Sequence, residues 1–139
     1  MPPAIDALSR WGPNPQTIQE EPYAMSIERK HVGPRLSQAV VHGNTVYLAG
    51  IVADHPIPDA AAQTGQILDQ IDKLLAECGT DKSKLLMATI WLTDVRYFDE
   101  MNSVWDKWVV AGNTPARACV EAKLANTKYL VEIRVVAAR

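Results

Sequence analysis

Phenylalanine occurs once, cysteine twice and histidine three times in these 139 residues, and each scarcity removes a class of chemistry. Cys78 and Cys119 show neither CxxC spacing nor a disulfide-framework pattern, so they read as reduced thiols of a cytoplasmic protein. His31, His42 and His55 are scattered and form no His/Cys/Asp cluster with ligand spacing, so no metal site is indicated. No apolar stretch approaches the roughly 18 residues of a membrane span. The N-terminus also lacks a basic segment leading into an apolar core, so a soluble, unexported chain is expected. Positive charge is limited to 14 Lys and Arg against 16 Asp and Glu, a net −2 with no basic run. That disfavours nucleic acid as a partner, because phosphate binding needs a concentrated cationic face. Glycine-rich phosphate loops and the dinucleotide fingerprint are missing too, so any chemistry here is expected to need no cofactor.

What remains is an ordinary globular composition, 47% hydrophobic and 22% charged, in a length that suits one domain. Residues 1–24 hold five of the nine prolines and read as a loose N-terminal arm. Either the natural start lies at Met25, or Trp11 and Tyr23 anchor the arm on a neighbouring subunit. Residues 25–139 form the single domain.

Ser37 to Val41 and Thr45 to Val52 are β-rich runs, and His42-Gly43-Asn44 between them suits a hairpin turn. Ala60 to Cys78 places Ile67, Leu68, Ile71, Leu74 and Leu75 on one helical face, with Asp59 as N-cap and Gly79 just beyond the end. Lys84 to Leu92 reads as a buried strand. Tyr97 to Val110 carries Phe98, Met101, Trp105, Trp108 and Val109 at helical spacing. Strands at 116–122 and 129–137 close the chain. The order predicts an α+β domain, a mixed β-sheet with two helices packed on one face. Several strands are apolar on both sides, and two helices cover only one, so the other face calls for self-association.

The last two strands each carry charge inside an apolar run: Thr114-Pro115-Ala116-Arg117-Ala118-Cys119-Val120-Glu121 and Tyr129-Leu130-Val131-Glu132-Ile133. Strand side chains alternate, so Arg117, Cys119 and Glu121 share a face, and Glu132 lies opposite the apolar Val131, Ile133 and Val135. If the two strands pair with apolar faces aligned, Arg117 and Glu132 emerge on the same side. A guanidinium fork matches a carboxylate, which suits Arg117 to grip an acidic substrate. A structural ion pair of Arg117 with Glu132 or Glu121 explains the same pattern equally well. Cys119 lacks a nearby base and reads as a small buried thiol. Asn102 lies on the helical stripe with Phe98 and Trp105, where its amide must find partners.

The Pro-Ala-Arg-Ala-Cys-Val-Glu and Val-Glu-Ile segments, the Val40 to Gly50 hairpin and Phe98-Asp99-Glu100-Met101-Asn102 together resemble the RidA (YjgF/YER057c/UK114) family of reactive imine and enamine deaminases. The likeness runs from about Ile27 to Arg139. It implies a homotrimer whose sheets form a barrel-like core, with a site at each subunit boundary. It implies that Arg117 holds the carboxylate of a 2-imino or 2-enamino acid and that Glu132 helps position or activate water. Cys119, Gly50 and Asn102 correspond to family positions lining or adjoining the pocket. Two positions depart: Arg35 stands where well-known members have a tyrosine, and Ala49 where they have a serine. Both changes remove substrate-contacting hydroxyls; Arg35 either points to solvent or pairs with an acid across the boundary, or it offers a second guanidinium for an acidic side chain. The activity implied is hydrolysis of small imino acids to keto acids and ammonia. A ligand-binding or regulatory trimer and a holdase chaperone are the rival readings. Ribonuclease activity has been attributed to some relatives, but this chain shows no basic patch or paired histidines.

Overall fold

A computed structural model describes residues 26–139. The readings for the arm, including Trp11, Tyr23 and Met25, lie outside the described residues. Six strands form one mixed sheet: β1 (Ile27–Val32), β2 (Ser37–His42), β3 (Thr45–Leu48), β4 (Leu85–Leu92), β5 (Ala116–Glu121) and β6 (Val131–Ala138), in the spatial order β1-β2-β3-β6-β4-β5. Two helices, α1 (Ala60–Glu77) and α2 (Phe98–Trp108), cover one face. The sheet is not closed into a barrel.

The helices form for the reasons the sequence offered. The Asp59 carboxylate accepts from Ala62 N at 3.0 Å, satisfying one of the free amides of the first turn of α1. Ile67, Leu68, Ile71, Leu74 and Leu75 are buried along its inner face. The chain then leaves through Gly79 at φ +75°, with Gly79 N bonded to Ala76 O and Thr80 N to Leu75 O. That is the paired closure available to a helix ending on a left-handed glycine. In α2, Met101, Trp105 and Trp108 are buried against the same core. Trp108 Nε1 donates to the Asp72 carboxylate of α1 at 3.0 Å, locking the two helices together.

Three expectations need correction. Strand β1 has no counterpart in the sequence reading, because Ile27-Glu28-Arg29-Lys30-His31-Val32 shows no clean apolar alternation. It is an edge strand paired only with β2, and charge on an edge is compatible with pairing while discouraging further strands. The run expected over 45–52 ends as a strand at Leu48, and pairing resumes as a single bridge between Ile51 and Ile133.

The third correction matters most for function. Strands β5 and β6 do not pair: β4 lies between them, parallel to β5 and antiparallel to β6. A parallel neighbour requires a crossover, and α2 supplies it by carrying the chain from β4 back to the start of β5. Residues 122–130 then step past β4 to reach β6. The register aligns Ala88 with both Arg117 and Val135, whereas Trp91 aligns with both Val120 and Glu132. Val135 is buried under the helices, so Arg117 emerges on the helical side and Glu132 on the other. The two do not share a face.

Opposite the helices the sheet is open and mixed in character, with Glu132 and the exposed Arg134, which lies over the Trp91 ring, among apolar side chains. Ile27, Tyr47, Met87 and Val120 lie there, between 43% and 51% exposed.

Candidate functional site

Arg117 leaves the edge strand β5 and reaches over α2. Its Nη1 donates to Asn102 Oδ1 at 2.8 Å, and its guanidinium carbon lies 5.4 Å from the centre of the Trp105 ring and 5.8 Å from that of Phe98. Residues 98, 102 and 105 fall on one face of α2, four and three residues apart, so a single helical stripe holds the cation. No carboxylate is paired with it: the ion pairs among the described residues are His31–Glu77, Arg96–Asp94 and Arg139–Glu28. The ion pair weighed from the sequence is therefore not formed within the chain. Glu121 is engaged elsewhere, accepting from Val95 N at 2.9 Å and so holding the turn before α2.

Cys119 is aligned with Ile90 on the same face as Arg117 and packs against the core. Burial raises its thiol pKa, with Arg117 partly opposing, which keeps the sulfur protonated and unsuited to nucleophilic attack. Asn102 has the partner that its position demanded.

Glu132, on the opposite face, lies against Gly50. A Cβ at residue 50 would stand 2.5 Å from Glu132 Oε2, so the absence of a side chain there is what admits the carboxylate. Burial raises the Glu132 pKa above the ordinary glutamate value of 4.5. A desolvated carboxylate of this kind is a stronger base than one in water. Ala49, next to Gly50, donates its N–H to Gln38 O at 2.9 Å.

The sequence-derived residues thus fall into two groups: Arg117, Asn102 and Cys119 beside α2, and Glu132, Gly50 and Ala49 on the other side. Arg35 belongs to neither cluster by contact. It is exposed in the turn between β1 and β2, on a shallow cavity shared with His31, Pro34, Leu36 and Gln38.

Several residues gain a place that sequence reading did not assign. Phe98 and Trp105 share the helical stripe of Asn102, and both of their rings face the Arg117 guanidinium. Gln38, Asp54, Gln70 and Tyr129 line a cavity beside Gly50, and nothing in their separate sequence contexts brings them together.

With this geometry in hand, comparison with known proteins gives a consistent result. Residues 28–139 match the family described as Endoribonuclease L-PSP. The RutC family protein YoaB of Escherichia coli K12 is 47% identical over 114 residues, covering 82% of this chain and 99% of that protein. A RutC family protein of Haemophilus ducreyi is 45% identical over 112 residues, covering 81% and 96%. A solved YjgF-family protein from Neisseria meningitidis superposes with a TM-score of 0.81 at 47% identity, covering 84% of this chain and 97% of its own.

Proposed function

Because this chain belongs to the Endoribonuclease L-PSP family, whose relatives carry the RutC and YjgF names, we propose that it hydrolyses reactive 2-imino and 2-enamino acids to 2-keto acids and ammonia. The observation that carries this reading is the Arg117 guanidinium, held by Asn102 and two aromatic rings yet without a carboxylate counter-ion among the described residues. One N–H is committed to Asn102, and the remaining donors suit the two oxygens of a substrate carboxylate.

Glu132 supplies the base. It takes a proton from water as the water oxygen bonds to the C=N carbon, and it passes that proton to the imine nitrogen to give the neutral carbinolamine. The carbinolamine then collapses: Glu132 takes the hydroxyl proton and gives it to the nitrogen, the C–N bond breaks, ammonia leaves and the carbonyl forms. The atoms balance as imine plus water giving ketone plus ammonia. No cofactor takes part in these steps.

One chain cannot present both groups to one substrate, since Arg117 and Glu132 lie on opposite faces. A second copy resolves this. In a homotrimer each boundary joins Arg117, Asn102 and Cys119 of one subunit to Glu132, Gly50 and Ala49 of the next, and the open face supplies the contact area. RNA cleavage has no comparable support, since a net charge of −2 provides no cationic track for a strand.

The test is complementation between variants. Arg117→Ala and Glu132→Gln chains are each expected to be inactive on an imino acid generated in situ by an amino-acid oxidase. Co-assembled in equal amounts, they restore about one quarter of wild-type activity, since a random boundary joins an intact Arg117 to an intact Glu132 one time in four. Full activity in Arg117→Ala alone refutes the deaminase assignment, and mixed trimers with no recovery refute the boundary site.

A further inference from the structure

The cavity beside Gly50 bears on which imine the site accepts, and the inference rests on the deaminase reading above. Its volume is about 270 Å³, and its polar walls are Gln38, Asp54, Gln70 and Tyr129. Glu132 lies against the same glycine, so a substrate whose C=N carbon is presented to that carboxylate has its side chain next to this opening.

The walls are chemically one-sided. Gln70 Nε2 donates to Val52 O at 2.9 Å, which fixes the amide and leaves Oε1 as an acceptor. The side chains of Gln38, Asp54 and Tyr129 have no hydrogen-bond or ionic partner among the described residues. Asp54 and Gln70 Oε1 only accept, whereas the Tyr129 hydroxyl and the Gln38 amide do either. The lining contains no Lys, Arg or His, and its one charged member is an acid.

We propose that this cavity receives the substrate side chain and selects one ending in a hydrogen-bond donor, an amide, hydroxyl or ammonium, over a carboxylate or a hydrocarbon. A carboxylate would meet the Asp54 carboxylate of the lining. A hydrocarbon would cover the half-buried Gln38, Gln70 and Tyr129 without bonding them, and a site built to bond a substrate donor discriminates strongly against an analogue without one. The competing outcome is an acidic side chain directed to Arg35, whose cavity shares Gln38 with this one.

The experiment measures kcat/KM for 2-imino acids of matched length ending in an amide, a carboxylate or a methyl group, each generated in situ by a flavin oxidase. Wild type is compared with Gln70→Leu, Tyr129→Phe, Asp54→Asn and Arg35→Tyr. Wild type should prefer the amide over either alternative by about tenfold or more. Gln70→Leu and Tyr129→Phe should each cut the amide-to-methyl ratio by about threefold or more, and Asp54→Asn should narrow the amide-to-carboxylate ratio by a similar factor. These ratios compare two substrates on one protein, so general damage to a variant does not move them. A wild-type preference for methyl or carboxylate, or ratios unchanged in both Gln70→Leu and Tyr129→Phe, overturns the proposal. So does a carboxylate preference abolished by Arg35→Tyr. Hydrolysis without preference removes the side-chain assignment alone, while a wild type inactive on all three imines removes the deaminase reading with it.

Discussion

Replacing Gly50 by alanine tests the site at a single atom. The added Cβ would stand 2.5 Å from Glu132 Oε2, 3.0 Å from Cδ and 3.4 Å from Cγ, so something must yield. All three atoms belong to the end of one flexible side chain. Gly50 is also not among the glycines with positive φ, so alanine adopts its backbone conformation without strain. Glu132 therefore swings away while the strand stays in place. An off-rotamer glutamate costs about 0.5–1.5 kcal/mol, and the reduced freedom of the unfolded chain offsets about 0.4–1 kcal/mol of that. The net change stays near 1 kcal/mol or below, a shift in Tm of about 5 °C or less for a domain of this size. Catalysis should respond far more. General-base help is worth about 10² to 10⁴ in rate, so kcat should fall by about a hundredfold or more. Thermal melting and steady-state keto-acid release on the same preparation measure both quantities. A kcat within about threefold of wild type would show that the carboxylate is not needed at that place. A fall in Tm beyond about 10 °C would show that the backbone yields instead.

Three further outcomes are expected. Arg117→Lys should lower kcat/KM by about 10- to 100-fold, since a point charge cannot reproduce the fork, and Arg117→Ala by more, with circular dichroism unchanged because the side chain is exposed on an edge strand. On the acid side kcat/KM should fall as Glu132 protonates. The base must be ionised and burial raises its pKa above 4.5, so the loss begins at higher pH than for an ordinary glutamate, and a limb at or below that value counts against Glu132 as the base. Light scattering should give about three times the chain mass for wild type and a monomer for Val120→Asp, which puts a charge on the open face; a monodisperse wild-type monomer removes the trimer.

Much of the fold was legible because its signals are local. Asp59 and Gly79 bound a helix whose apolar residues recur every three or four positions, and the observed α1 runs from Ala60 to Glu77. The α2 stripe from Phe98 to Trp108 was equally plain. Strand β1 was not, because an exposed edge needs no buried face and so leaves no alternation to read. At the site, the residues of the Arg117 strand and the Glu132 strand were visible as charges in apolar runs. The stacking of Arg117 between Phe98 and Trp105 and the gathering of Gln38, Asp54, Gln70 and Tyr129 around Gly50 were not, since the members of each group come from different elements.

By itself the sequence determined which side of its own strand each residue takes, so that Arg117 and Cys119 fall together and Glu132 falls opposite Val131 and Ile133. Only the tertiary structure decided which strands are neighbours. The α2 crossover places β5 parallel to β4, and β4 therefore separates β5 from β6. Side-chain alternation is a property of one backbone, whereas the relation between two strands depends on how the chain between them is routed. That routing turned two residues expected on one face into residues on opposite faces of the sheet.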